Sequence, residues 1–143
     1  MKLSLIDLSP IPYGGSRAEA YQNTIETAQH IEQLGYHRIW LAEHHNSVQL
    51  AGRAPEVLIP TIASKTSKIR VGSGSVLLNH YSPYKVAEVF GSLEELFPGR
   101  IDLGIGRATT GPISDVALQR NRSFRQLTND SMEQLVELLT WFD

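Results

Sequence analysis

The stretch IWLAEHHNSV, residues 39–48, carries a short apolar run directly into Glu43, His44 and His45. The run reads as a buried strand from about Arg38 to Ala42, ending on one carboxylate and two imidazoles. The chain has five histidines in all, so two side by side at a strand end raise a chemical question. Three readings compete on the residues alone: a metal site, a catalytic base beside a cofactor, or a buried structural pair.

The flanking sequence extends the pattern in both directions. Towards the amino end, Leu3 to Leu8 reads as a strand stopped by Ser9-Pro10. A helix is expected from Ser16, where Ser-Arg-Ala-Glu forms a capping box with Glu19 at the third helical position. Tyr21, Ile25, Ala28, Ile31 and Leu34 approximate one stripe, and Gly35 supplies the stop. Towards the carboxyl end, Pro55 suits the first turn of a helix through about Lys65, with Pro60 predicting a kink or an early break. Ile69 to Leu78 holds a third strand rich in small residues. Ser82-Pro83 starts a helix with an apolar stripe of Val86, Val89, Phe90, Leu93 and Leu96. Pro98-Gly99 then turns the chain into a fourth strand, RIDLGIGRA, residues 100–108. Residues 108 to 128 read as irregular or locally helical. A last helix from about Asn129 places Met132, Leu135, Val136, Leu139 and Phe142 at helical spacing.

Strict alternation of strand and helix implies an α/β fold with a parallel sheet and right-handed crossovers. Two architectures fit it. A flavodoxin-like sheet is comfortable at 143 residues. The other is the first four β/α units of a (β/α)8 TIM-type barrel, a half barrel, since a full barrel needs about 250 residues. Periodicity alone favours the flavodoxin-like sheet.

Composition narrows the partners. The chain is one domain by length, 41% hydrophobic and 20% charged, with a net charge of -2. Nothing in that balance steers it to nucleic acid or an anionic membrane. There is no cysteine, which excludes disulfides and thiolate metal sites. The segment MKLSLIDLSPIPYGG is too interrupted for a signal peptide, and no long apolar run appears, so a cytoplasmic location is expected.

In either architecture ligands collect at the carboxyl ends of the strands. Those ends carry Ser9-Pro10, Glu43-His44-His45, Gly74-Ser75 and Gly106-Arg107. No metal is expected, because adjacent His44 and His45 would point to opposite faces of a continuing strand, although Glu43 or His80 could in principle join them. A single near-neutral imidazole at a strand end can transfer a proton or hydrogen-bond a reactive group. The glycines of VGSGS allow either a flat ring or a packed neighbour to approach the backbone. GIGRATTG lacks the third glycine of a dinucleotide fingerprint, Thr109 standing in its place, and that reading is rejected. Arg107 could pair with a phosphate or an electron-rich ring.

The segments LSLIDLSPI, EQLGYHRIWLAEHHN and APEVLIPTIASKTSKIRVGSGSVLLNHYSPYKVAEVFGSLEELFPGRIDLGIGRA together resemble the bacterial luciferase-like, flavin-dependent monooxygenases. They cover most of residues 3 to 108. The resemblance implies a (β/α)8 barrel that binds reduced FMN at its carboxyl-terminal mouth and uses it to activate dioxygen and oxygenate a small organic substrate. It implies that His44 lies beside the flavin as the catalytic residue and that Glu43 lies near the same pocket. It implies that Gly74-Ser75 passes behind the ring, often through a non-proline cis peptide, and that Arg107 contacts the flavin or its phosphate. A separate flavin reductase would supply the reduced cofactor, and a homo-oligomer is expected. On this reading His45 supports the strand end.

The run Arg107-Ala108-Thr109-Thr110-Gly111-Pro112 departs from the family, whose members often carry proline and glycine soon after the arginine. Family chains are also about twice as long, so residues 1–143 read as the amino-terminal portion of a barrel domain. Two sheet edges would then lie open, and Ile101, Leu103 and Ile105 would present an apolar face towards the barrel interior. A truncated form, completion by another chain, and self-pairing all follow as possibilities. A half-barrel remnant that only binds partners is the alternative function.

Overall fold

A computed structural model of the chain describes residues 1–107, 111–118 and 130–142. Four strands form one parallel sheet: β1 (Ser4–Asp7), β2 (Arg38–Leu41), β3 (Arg70–Leu77) and β4 (Ile101–Gly106). Their spatial order is β1-β2-β3-β4, with Leu5 opposite Ile39 and Ile39 opposite Val71. That consecutive order overturns the flavodoxin-like expectation, in which the first strand lies inside its successors. It is the winding a (β/α) barrel uses.

The helices are α1 (Arg17–Gln33), α2 (Pro55–Lys65), α3 (Pro83–Leu96), α4 (Pro112–Leu118) and α5 (Ser131–Thr140), with a 3-10 turn at Leu78–His80. Helix α1 starts as read: Ser16 accepts from the Glu19 amide, and Glu19 accepts from the Ser16 amide at 2.6 Å. It ends on Gly35 at φ +77, where the Gly35 and Tyr36 amides donate to Glu32 and Ile31. Both ends are local devices, each satisfying backbone groups that the helix itself cannot. Ser82 does sit at the start of α3, but its hydroxyl makes no capping bond.

Helix α2 runs through Pro60 without the expected break. Burial of Leu58, Ile59, Ile62 and Ala63 outweighs the roughly 3 kcal/mol a mid-helix proline costs. Two residues expected in apolar stripes lie outside them: Leu34 follows the last turn of α1, and Leu96 ends α3 at 68% exposure. In α5 the stripe is displaced as well. Gln134 and Leu138 are buried, whereas Met132, Val136, Leu139 and Phe142 are exposed. A polar side chain takes the inward position there because Gln134 bonds the carbonyls of Leu78 and Tyr81.

The core lies between the helices and one face of the sheet. Leu5, Ile39, Leu41, Val71, Ile101, Leu103 and Ile105 meet Ala28, Ile31, Ile59, Ile62, Phe90 and Leu93 there. The expectation that Ile101, Leu103 and Ile105 look into a barrel interior is therefore wrong. Their alternation is real, but the helices cover that side. The other face carries Ile6, Trp40, Asp102 and several glycines. A Cβ added at Gly72 would come within 2.7 Å of both Trp40 and Asp102. These glycines let an indole lie across the sheet.

Near the amino ends of the strands, Asp102 accepts from Arg38 Nε at 2.6 Å and from Arg70 Nε and Nη2 at 2.8 Å. Arg38 also stacks 4.7 Å from the Trp40 ring. Among the described residues the outer edges of β1 and β4 pair with no further strand. No helix among them is long and apolar enough to cross a membrane.

Candidate active site

Polar chemistry concentrates where the strands end. At the end of β1, Ser9 adopts φ +52, and Asp7 Oδ1 accepts from the Ser9 amide at 2.6 Å and from Thr24 of α1 at 2.9 Å. This turn lets the chain leave the sheet without stranding its donors.

The end of β2 is organised by Glu43, whose side chain is wholly buried. Its carboxylate meets His45 Nε2 at 2.5 Å and accepts from the Tyr81 hydroxyl at 2.7 Å and from the Leu77 amide at 2.8 Å. A buried charge must be compensated by donors, and three donors from three segments do so here. Burial and donation to Glu43 push the Tyr81 phenol far above its ordinary range, so it stays protonated and donating. Burial also raises Glu56, at the start of α2, with Glu43 adding to the effect.

His44 sits between these pinned neighbours. Its amide donates to the Gly52 carbonyl at 2.8 Å. Its Nδ1 is buried and finds no partner among the described residues. The side chains of its two neighbours in sequence, Glu43 and His45, meet each other. A metal would need further ligands, and no group of three suitable side chains gathers among the described residues.

Gly74 and Ser75 lie in β3, and the peptide bond between them is cis. A register shift against β4 falls between Ser73 and Val76. Ser75 lies against Gly106, where a Cβ would meet the Ser75 hydroxyl at 2.1 Å. Thus Gly74-Ser75 and the end of β4 are neighbours, and close packing alone already requires these glycines. Arg107 is exposed immediately beyond β4. It borders a cavity of about 240 Å³ together with Leu78, Asn79, Ile105 and Gln134. Residues 108–110, which carry the departure at Thr109, lie outside the described residues, as do Asn129 and Asp143.

Of the expected site residues, Glu43 bonds the backbone two positions beyond Ser75, and Ser75 adjoins the strand that ends at Arg107. Sequence reasoning offered His80 only as a possible metal partner of His44 and His45, and did not single out Tyr81. His80 is fully buried, meets the His45 ring edge-on at 6.2 Å between centroids, and lies 3.8 Å from Asp115. Burial holds its imidazole below the ordinary value. The signal for both was the HYSP segment, legible only as a motif without a contact.

Comparison with known proteins matches residues 1–140 to the luciferase-like monooxygenase family. The chain is 48% identical over 139 residues to an N-acetyl-S-alkylcysteine monooxygenase of Bacillus subtilis (strain 168), covering 96% of this chain and 41% of that protein. It is similar to the crystal structure of apo-MsnO8 at a TM-score of 0.92 and 46% identity, covering 99% of this chain and 42% of that one. It also resembles the oxygenating constituent of 3,6-diketocamphane monooxygenase from Pseudomonas putida, solved in complex with FMN. That likeness has a TM-score of 0.81 and 25% identity, and covers 96% of this chain and 38% of that one. The chain therefore spans about two fifths of the length of the relatives it matches.

Proposed function

The chain belongs to the luciferase-like monooxygenase family, and from that premise we propose that it forms part of a monooxygenase that holds reduced FMN at the carboxyl ends of its strands. One observation carries the reading: at the carboxyl end of β2, the buried Nδ1 of His44 has no partner among the described residues. A buried polar atom left unsatisfied costs about 1–3 kcal/mol, and a bound ligand relieves that cost. The exposed Arg107 guanidinium just beyond β4 fits an anionic or electron-rich group. These residues suit a flavin.

Reduced FMN, when bound, supplies the electrons that activate dioxygen for insertion into an organic substrate. His44 would be the catalytic residue, able to hold or pass a proton at Nδ1. Arg107 fixes the phosphate or the ring edge. The backbone at Gly74-Ser75 would line the flavin site, and Glu43 would stiffen the end of β2 beside it. The FMN complex of the diketocamphane oxygenating constituent supports this cofactor, and that protein's description as one constituent supports a separate reductase as the source of reduced flavin. We read residues 1–143 as the first four β/α units of a (β/α)8 barrel domain acting as a homo-oligomer in the cytoplasm. The consecutive strand order and the share of each relative that is matched support that architecture.

Anaerobic calorimetric titration with reduced FMN tests the proposal. Saturable binding that His44→Ala and Arg107→Ala each weaken by tenfold or more supports it. A folded chain that takes up no reduced FMN refutes it.

A further inference from the structure

The quoted stretch contains a device that the flavin reading leaves unused. We propose that Tyr81, Glu43 and His45 form a positioning brace for His44, so that Tyr81 governs the flavin site through two intermediaries. The inference rests on the proposed placement of His44 beside reduced FMN, and it assigns no contact between Tyr81 and any ligand.

Four observations carry it. The Glu43 carboxylate is sealed from solvent and its oxygens are taken by His45, Tyr81 and the Leu77 amide, leaving little capacity for a ligand. Its work is therefore on its neighbours. Glu43 and His45 flank His44, and their side chains bond each other, which holds the backbone on both sides of His44. His45 is held twice, by Glu43 at Nε2 and by the edge-on ring of His80. Tyr81 in turn is anchored: its amide donates to Leu78, and its carbonyl accepts from Gln134 of α5 at 3.3 Å. The phenol thus transmits the position of the β3–α3 junction to the end of β2.

The donor pattern also fixes a tautomer. Tyr81 and Leu77 donate to Glu43, and the carboxylate only accepts. The brace therefore requires a proton on His45 Nε2. That is a directly observable signature, independent of turnover.

Long-range proton–nitrogen spectra of the flavin-free chain, recorded for wild type and Tyr81→Phe, test the brace. Wild type is expected to show His45 as the Nε2–H tautomer with a strongly downfield ring proton. Tyr81→Phe is expected to shift the ring nitrogens of both His45 and His44 and to weaken reduced-FMN affinity by about tenfold. Glu43→Gln serves as a second variant, because its amide sets donor against donor at constant volume; it is expected to move the same two rings further. Unchanged His44 nitrogens in both folded variants would overturn the inference, as would the Nδ1–H tautomer at His45. If wild type binds no reduced FMN, the functional reading falls, while the ring-nitrogen shifts still decide the brace.

Discussion

The two ends of the parallel sheet handle charge in opposite ways. At the amino end, Asp102 takes hydrogen bonds from both Arg38 and Arg70, and Arg38 also lies over Trp40. At the carboxyl end, Glu43 is just as fully bonded, yet the next residue keeps a buried imidazole nitrogen without a partner among the described residues. A satisfied cluster closes on itself and holds the sheet. The open nitrogen of His44 at the strand end is the atom the flavin proposal uses.

Removing Asp102 strikes the closed end hardest. Asp102→Ala leaves two guanidinium groups facing each other on a largely covered surface, and should cost about 3 kcal/mol in urea denaturation. Reduced-FMN affinity of the folded protein should stay within twofold. A large loss of binding with intact stability would reverse the roles assigned to the two ends.

His44→Ala is the converse case. Stability should fall by no more than about 0.5 kcal/mol, since removing Nδ1 breaks no bond seen among the described residues, while reduced-FMN affinity falls about tenfold. A destabilisation of several kcal/mol would instead make His44 a core residue.

The smallest effect lies in acid. Burial opposes ionisation of Asp102, but hydrogen bonds from Arg70 and Arg38 prevail and hold its carboxyl below the ordinary value of 3.8. A depressed carboxyl stabilises fully above its unfolded value, and the contribution fades as pH falls through the folded one. Wild type should therefore lose stability more steeply than Asp102→Asn as pH drops below about 4. Parallel curves for the two proteins would contradict the pairing.

Much of this molecule was legible because its devices are local. The capping box at Ser16 and Glu19, the stop at Gly35 and the proline that opens α3 each act within four residues. The choice of architecture was not legible from periodicity, since consecutive and flavodoxin-like orders share the same alternation; the family resemblance carried it. The face of β4 was misread for a related reason. Alternation separates Ile101, Leu103 and Ile105 from Asp102 and the glycines, but only tertiary packing says which set meets the helices. Helix α5 failed differently: Gln134 turns inward to bond two carbonyls of a distant turn, a contact 56 residues away for Leu78 that no stripe encodes. At the site, the sequence placed Glu43 and His44 together but concealed Tyr81, 38 residues on. Adjacency in sequence showed where the chemistry sits. The partners that orient it come from the fold.

The most direct test of that contrast follows the chain's five histidines during anaerobic addition of reduced FMN. Ring-nitrogen spectra should show His44 shifting saturably, with His45 following weakly, while His30 on α1 and His37 at the amino end of β2 stay still. Saturable binding that moves His37 and leaves His44 unchanged would place the flavin at the wrong end of the sheet and contradict the account.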